Sequence, residues 1–443
     1  MGRTQVALFG GLMLLSSAVF GAGLMEAYQA ARQHDPTFRA ARFERAAGEQ
    51  STVIARAALL PNISISANRF TNHGERSLTS GAANQPLDYR SSQDAISLRQ
   101  PLINFEGVAK YKQGGLQDAY SAAVFNQKEA DLVVQVAAAY FDVLLATDQL
   151  ALSDAEVAAF EDQYKLAQRR HSGGEGTVTE IAETESRLKI AEASRVDTKD
   201  QLSVAVQVLE DMTGNPAGPL HFLHKNFIPT AVQPDNLEAW LAMAQNKSPV
   251  ILAQRKVLES ATLEVDRVWA GHLPRLDVVA SISNNENDTV NTLNQKIYSR
   301  SLGLQLNVPL YAGGGVVAAT EREVANMERT SAELDAIVSK VLVEVKRQFL
   351  AAQTGIIKVA AYEKAVDASL VAVEGMKKGM AAGIRTNTDV LDAQRQLYST
   401  KRDLGQARYT LLASQLKLKA AAGILSEQDV EKIDQLLALK EGS

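Results

Sequence analysis

Apolar side chains recur every seven residues along two long stretches of the chain, a spacing typical of coiled-coil helices. Proline, which breaks a helix interior, is absent between Pro101 and Pro216 and again after Pro309. The pattern therefore predicts two long helices, over about residues 104–172 and 315–379, each about 100 Å long at 1.5 Å per residue. Their seams are Val136, Val143, Leu150, Val157 and Tyr164, and Val345, Ala352, Val359, Val366 and Val373.

A second helix, about 36 residues long, is predicted to return from each long helix. In the later return helix, apolar residues seven apart are followed three positions on by small residues, as in Val390 with Ala393 and Leu397 with Thr400. Two seams let one helix pack on both flanks, which favours a supercoiled wall of helices. A plain antiparallel bundle is the alternative, and it explains only the first seam. Shorter helices are predicted over residues 36–59 and 249–272.

Two pairs of short segments alternate apolar and polar residues, over about residues 62–100 and 275–308. Each pair flanks a predicted polar loop, the first through Gly74, Gly81 and Pro86 and the second over residues 284–300. Such alternation predicts strands with one face toward lipid and the other toward water. Four strands cannot close a barrel, and an open edge in a bilayer leaves backbone groups without hydrogen bonds. At least two copies of the chain are therefore expected to share one barrel, and a wide passage favours three or more.

The same order of segments recurs after about 210 residues, which indicates an internal repeat. Pro101-Leu102-Ile103 matches Pro309-Leu310-Tyr311 in this way. We expect one repeat over residues 23–230 and a second over 231–443, each with a half-length helix, two strands, a long helix, a tip and a return helix. The second repeat is expected to end in a C-terminal equatorial segment. The predicted fold is mainly α-helical and pseudo-twofold, with a small β-barrel part.

The first 22 residues have the features of a secretory signal peptide. Arg3 precedes an apolar run from Val6 to Phe20, which ends at small residues. A transmembrane anchor is the alternative, but a spanning helix needs about 20 apolar residues and polar residues begin at Glu26. No later apolar stretch is expected to cross a membrane as a helix. The mature protein is then either soluble or crosses as strands.

Composition narrows the possible functions further. The 46 basic and 51 acidic residues are well mixed, and the net charge of −5 gives no basic surface for nucleic acid. The absence of cysteine excludes disulfides, a catalytic thiol and a lipoprotein anchor. His221 and His224 have no further ligand residues nearby, so neither a metal nor another cofactor is expected. No catalytic arrangement is visible, and we expect that the protein is not an enzyme.

The segment Ala382–Ala393, followed by Leu397-Tyr398 and Gly423-Ile424-Leu425, resembles the last helical hairpin of the TolC family of outer-membrane export factors. Ala138–Leu144 in the first long helix is also similar, and the resemblance covers Leu24 to Asp434. It implies a homotrimer in the bacterial outer membrane, in contact with outer-membrane lipid. Each subunit would add strands to a shared barrel, and a helical tunnel would extend into the periplasm and taper to a gate.

The resemblance also implies roles for particular residues. Asp389 and Asp392 are expected to form acidic rings at the narrow end of the tunnel. Converging carboxylates raise each other's pKa and attract cations. Arg385 is expected to lock this gate with Thr179 and Glu180 as partners. Without the resemblance, the two aspartates fit a simpler role, which is to offset the dipole at a helix N-terminus.

The leading hypothesis is a channel subunit for type I protein secretion, driven by an inner-membrane ABC transporter. A periplasmic adaptor (membrane fusion) protein is expected to contact the tips around Gly174 and Gly383. The alternative is the outer-membrane component of a multidrug efflux pump, served by a proton-driven pump. A soluble periplasmic coiled-coil scaffold leaves the alternating segments unexplained, and a simple diffusion porin does not need such long helices.

Overall fold

The computed structural model describes residues 23–77, 85–224, 227–289 and 292–439. The predicted signal peptide lies outside the described residues, as does Gly81 in the first predicted strand loop. The elements, in chain order, are α1 (Leu24–His34), α2 (Pro36–Arg56), β1 (Asn62–Arg76), β2 (Gln85–Ile103), α3 (Phe105–Ser172), α4 (Val178–Thr213), β3 (His221–Leu223), α5 (Leu237–Lys247), α6 (Pro249–Trp269), β4 (Arg275–Thr289), β5 (Thr292–Asn307), α7 (Gly315–Ala381), α8 (Asn387–Ala421), α9 (Glu427–Asp434) and β6 (Leu437–Leu439).

The chain divides into two compact units. The first contains Met1–Ala40, Lys128–Ala244 and Glu344–Ser443, and the second contains Ala41–Gln127 and Gln245–Val343. Each unit takes segments from both halves of the sequence, so the units do not coincide with the repeats. The repeat is visible in the element order, because a half-length helix, two strands, a long helix and a return helix occur twice.

The second unit contains an antiparallel sheet with strand order β1-β2-β4-β5. Its register places apolar side chains of all four strands in one row: Ile63, Leu98, Ala280 and Leu302. The adjacent row, on the opposite face, consists of Ser64, Ser97, Ser281 and Ser301. One face therefore suits lipid and the other suits water. Among the described residues β1 and β5 are the edge strands of this sheet, so each leaves one side without a ladder partner there.

The strands are longer than the sequence predicts. Gly74 and Pro86, expected in a loop, lie in β1 and β2, where Glu75 is opposite Pro86. Most of the second predicted loop, residues 284–300, is likewise part of β4 and β5. The prediction followed the alternation of apolar and polar residues, which stops where both faces become polar. The hydrogen-bond ladder continues, because backbone pairing does not need apolar side chains.

The two long helices are confirmed to within about two residues at each end. The return helices have 36 and 35 residues, close to the predicted length. In the first unit their predicted seams are largely buried: Val136 and Val143 in α3, Val345, Ala352, Val359 and Val373 in α7, and Val390, Leu397, Leu411 and Leu418 in α8. Leu150, Val157, Tyr164 and Val366 are only half-buried. The heptad pattern therefore identified the packed face of each helix.

Short elements of the first unit were not predicted. They are α1, α5, α9 and the two-stranded sheet of β3 and β6. The N–H of Leu24 donates to Asp434 Oδ1 at 2.6 Å, and Arg32 pairs with both Glu129 and Glu427 at 2.9 Å. These ties link the start of the described chain to its last helix. The elements are too short to show a helical or strand period in the sequence.

The composition of α3 bears on the expectation that no later stretch crosses a membrane as a helix. The helix α3 contains an 18-residue window that is apolar enough to cross a membrane by length and composition, and 56% of that window is buried inside the protein. A coiled-coil helix that packs on two flanks carries many alanines and apolar residues, so it passes the same test as a spanning helix. Such a window in one helix is weak support for a membrane span.

Candidate functional site

The two helical hairpins of the first unit end in tips of the same design. Gly174 follows α3 with a φ of 81°, and Gly383 follows α7 with a φ of 74°. In each tip the glycine N–H donates to a carbonyl of the preceding helix at 3.0 Å, to His171 in the first and Met380 in the second. Glycine is favoured at both positions because a positive φ places a side chain against the backbone.

The return helices also begin alike. Thr177 accepts a hydrogen bond from the N–H of Glu180, and Thr386 accepts one from the N–H of Asp389, both at 3.2 Å. Only the second tip completes a capping box, in which Asp389 Oδ2 accepts from the N–H of Thr386 at 2.8 Å. Asp389 thus has the simpler structural role at a helix N-terminus.

This cap lowers the pKa of Asp389. The main cause is the backbone N–H of Thr386, followed by the Thr386 hydroxyl and the charge of Arg385. Because the folded-state pKa lies below the ordinary 3.8, the cap is present at neutral pH and is lost as the pH falls through that lowered value. Asp389 is therefore ionised at neutral pH within one chain.

Asp392 belongs to a cluster that joins the two hairpins. Arg187 of α4 donates to Asp392 Oδ1 at 2.8 Å and to Glu183 Oε1 at 3.2 Å. The hydroxyl of Thr388 donates to Glu183 Oε2 at 3.0 Å. We call Glu183, Arg187, Thr388 and Asp392 the inter-hairpin cluster. It ties α4 to α8 just behind the tips.

Within one chain, both predicted gate aspartates have local structural partners. The Asp392 side chain is 62% exposed, and an arginine of its own chain balances its charge. Asp389 is used as a cap. Sequence reasoning missed Glu183, Arg187 and Thr388. The available signal was that Glu183 and Arg187 are four residues apart on one helix face, as are Thr388 and Asp392.

The predicted gate-locking residues are not brought together within one chain. Glu180 pairs with Arg170 of its own hairpin at 3.3 Å. Arg385 and Thr179 are exposed at their respective tips, and in the described ranges no ion pair joins Arg385 to Glu180. The lock therefore remains a prediction, and it requires either a second subunit or a movement of the tips.

A polar cavity of about 580 Å³ lies between α3, α4 and α8. The Ser153 hydroxyl lines it without a hydrogen-bond partner, and burial raises the pKa of Glu156 in spite of the nearby Arg402 and Arg395. In the part of the chain that the structure describes, no three His, Asp or Glu side chains are grouped to hold a metal ion. The cavity adds polar, water-accessible surface between the hairpins.

Comparison with known proteins assigns the family. A family model described as outer membrane efflux protein matches residues 27–215 and 240–424, which together contain both tips and both strand pairs. The chain belongs to the outer membrane efflux protein family. The predicted TolC-type family and outer-membrane localisation are thereby confirmed.

Several members of the outer membrane efflux family are similar over nearly their whole length. Alkaline protease secretion protein AprF of Pseudomonas aeruginosa is 34% identical over 98% of this chain and 91% of its own length. Proteases secretion protein PrtF of Dickeya chrysanthemi is 33% identical, with coverages of 98% and 95%. Outer membrane protein TolC of Vibrio cholerae is 30% identical, with coverages of 95% and 95%.

Solved structures of outer-membrane channels share the fold. CusC superposes with a TM-score of 0.78 at 14% identity, over 91% of this chain and 93% of that one. VceC of Vibrio cholerae gives a TM-score of 0.75 at 17% identity, over 90% and 96%. The predicted fold class is confirmed. The proteins that this efflux-family chain resembles are channel and transport proteins, not enzymes.

Proposed function

We propose that the protein is the outer-membrane channel subunit of a type I secretion system, in which an inner-membrane ABC transporter drives export of proteins. The observation that carries this proposal is the similarity, over 98% of the chain, to two proteins named for protease secretion. The fold supports it, since a polar sheet face and long helices suit a passage for an extended polypeptide.

The proposed assembly is a homotrimer. The sheet has two open edges, and β5 of one subunit would pair with β1 of the next until the barrel closes. The row of Ile63, Leu98, Ala280 and Leu302 would face lipid, and the row of Ser64, Ser97, Ser281 and Ser301 would face the passage. Hydroxyls carry no net charge, so the barrel lining would hold a passing polypeptide only weakly.

The proposed partner at the periplasmic end is an adaptor protein that contacts the tips. Added side-chain atoms at Gly174 or Gly383 would meet nothing within 4 Å, so both tips are accessible within the chain. Asp389 and Asp392 would form the acidic rings, and Arg385 would lock the gate with Thr179 and Glu180. Glu180 would have to exchange its present partner, Arg170.

A multidrug efflux channel is the second candidate. The relatives include outer membrane efflux protein BepC of Brucella suis, which is 26% identical over 94% of this chain. TolC proteins of Vibrio cholerae and Escherichia coli are 30% and 29% identical. All of these identities are below those of the two protease secretion proteins.

Lysine substitutions at two neighbouring residues on opposite faces of β5 test the proposed barrel. Leu302 is 80% exposed on the apolar face, and Ser301 lies on the hydroxyl face. We expect Leu302→Lys to lower the yield of trimer in outer membranes at least tenfold, because a lysine toward lipid near the bilayer centre costs about 2–4 kcal/mol. The measurement is the amount of heat-modifiable trimer extracted in detergent.

The matched variant Ser301→Lys is expected to assemble normally and to shift the conductance in planar bilayers toward anions. A water-soluble protein without conductance would contradict the channel, and so would equal tolerance of lysine at both positions. The soluble scaffold would then be the better account.

A further inference from the structure

The apolar face of the sheet ends at a row that contains one arginine. Register places Ile65, Ile96, Ile282 and Arg300 side by side across the four strands. The next row toward the hairpin ends is Ala67, Asp94, Asn284 and Tyr298. Arg300 and Tyr298 of the edge strand β5 thus mark the border between apolar and polar surface on this face.

This border would lie in the outer leaflet of the membrane, if the proposed function is correct. The strand ends at Asn62, Ile103, Arg275 and Asn307 continue toward helices, and those helices would extend into the periplasm. The opposite strand ends form the hairpins, so they would face the cell exterior. Arg300 would sit where acyl chains give way to headgroups.

Arg300 differs from Arg69 and Lys296, two other cations on this face of the sheet. Arg69 is held by Asp94 through two bonds, at 2.8 and 2.9 Å, and Lys296 lies 3.7 Å from Glu286. The side chain of Arg300 instead turns to Tyr298. Its Nε donates to the tyrosine oxygen at 3.0 Å, and its guanidinium carbon lies 5.0 Å from the ring centre.

No carboxylate pairs with Arg300 in the ranges that the structure describes. Its two terminal nitrogens therefore remain as a fork of N–H donors.

We propose that Arg300, oriented by Tyr298, binds a phosphate of the phosphorylated glycolipid in the outer leaflet. An arginine fork matches two phosphate oxygens. Arginine and tyrosine at the edge of an apolar band are suited to the headgroup level. The acyl chains of the same lipid would lie on the rows of Ile282 and Leu302, which free phosphate cannot do. The site is thus one for a lipid, held by its headgroup and its chains.

The test uses the full-length trimer and lipid A, retained during native mass spectrometry. We expect diphosphorylated lipid A to bind about tenfold more tightly than dephosphorylated lipid A with the same acyl chains. Arg300→Gln should bring this ratio close to one. Arg300→Lys should give an intermediate ratio, since it keeps the charge but loses the fork.

The matched control is Arg322→Gln, which removes an exposed arginine of α7 in the same unit, away from the sheet. It should leave the ratio unchanged. Equal binding of the two lipids by the unaltered protein would overturn the proposal, as would an unchanged ratio in Arg300→Gln. Displacement of the lipid by inorganic phosphate alone would also overturn it, since the site would then be a simple anion site.

Conductance separates this proposal from the proposed function. In bilayers of neutral lipid, Arg300→Gln should conduct like the unaltered channel, because Arg300 faces away from the hydroxyl face. Normal conductance with no lipid preference would reject the lipid site alone. Loss of conductance in the unaltered protein would reject the channel itself.

Discussion

Replacing Asp389 and Asp392 together by Asn is expected to weaken block by trivalent cations at least tenfold. In the proposed trimer each carboxylate is repeated around the axis, and converging charges attract multivalent cations strongly. Asn is preferred to Ala because its side-chain oxygen can still accept from the N–H of Thr386, which preserves the cap of α8. The measurement is single-channel current in a planar bilayer, titrated with a trivalent cation.

The matched control is Asp403→Asn, which removes a partly exposed carboxylate of α8 away from the tip. Cation block should be unchanged in this variant. If the double Asn variant is blocked as strongly as the unaltered channel, the aspartates do not form rings. The capping box and the Arg187 ion pair would then be their whole role.

Breaking the inter-hairpin cluster is expected to open the tunnel end. Arg187→Gln removes the cation between Glu183 and Asp392, so α4 and α8 lose their ion pair and two carboxylates face each other. The pair is partly exposed and is worth about 1 kcal/mol per subunit. If three subunits open together, the equilibrium shifts roughly a hundredfold toward the open state. Resting conductance measures this shift.

A second ion pair supplies the control for this prediction. Arg195 and Asp154 are 3.0 Å apart within the first hairpin, so Arg195→Gln leaves the link between the hairpins intact. Resting conductance should stay low in that variant. The exchange Arg187→Asp with Asp392→Arg should restore part of the closed state. Equal conductance in Arg187→Gln and Arg195→Gln would show that the cluster does not hold the gate.

Arg187→Gln and the double Asn variant are expected to differ in their combination of resting conductance and cation block. Arg187→Gln leaves both aspartates charged, so it should raise conductance while cation block persists. The double Asn variant loses the ring charge and the ion pair together, so it should show raised conductance without block. This difference separates the electrostatic role of Asp392 from its tie to Arg187.

The sequence predicts the long helices well, because proline spacing and the heptad seam act over many turns. The first was expected over residues 104–172 and is observed as Phe105–Ser172. The strands were predicted at the correct positions but too short. Gly74 and Pro86 are typical turn residues, yet both lie within the hydrogen-bonded ladder of β1 and β2. The short helices α1, α5 and α9 gain their stability from packing, which a local pattern does not show.

The candidate site was only partly accessible from the sequence. Asp389 and Asp392 were singled out through a family resemblance, and the cap of Asp389 follows from the Thr386-x-x-Asp389 spacing. The contact of Arg187 with Asp392 depends on how two hairpins pack, with 205 residues between the partners. No local rule links such residues. The same holds for Arg300 and its row, which depend on strand register.

Secretion in a reconstituted host tests the central claim most directly. The chain would be expressed, together with an ABC transporter and adaptor that export a protease, in a bacterium without its own outer-membrane channel of this family. The account predicts protease in the culture medium, and its loss when Leu302→Lys prevents assembly. Protease that stays inside cells, although the trimer is present in the outer membrane and restores resistance to drugs, would contradict the secretion function and favour multidrug efflux.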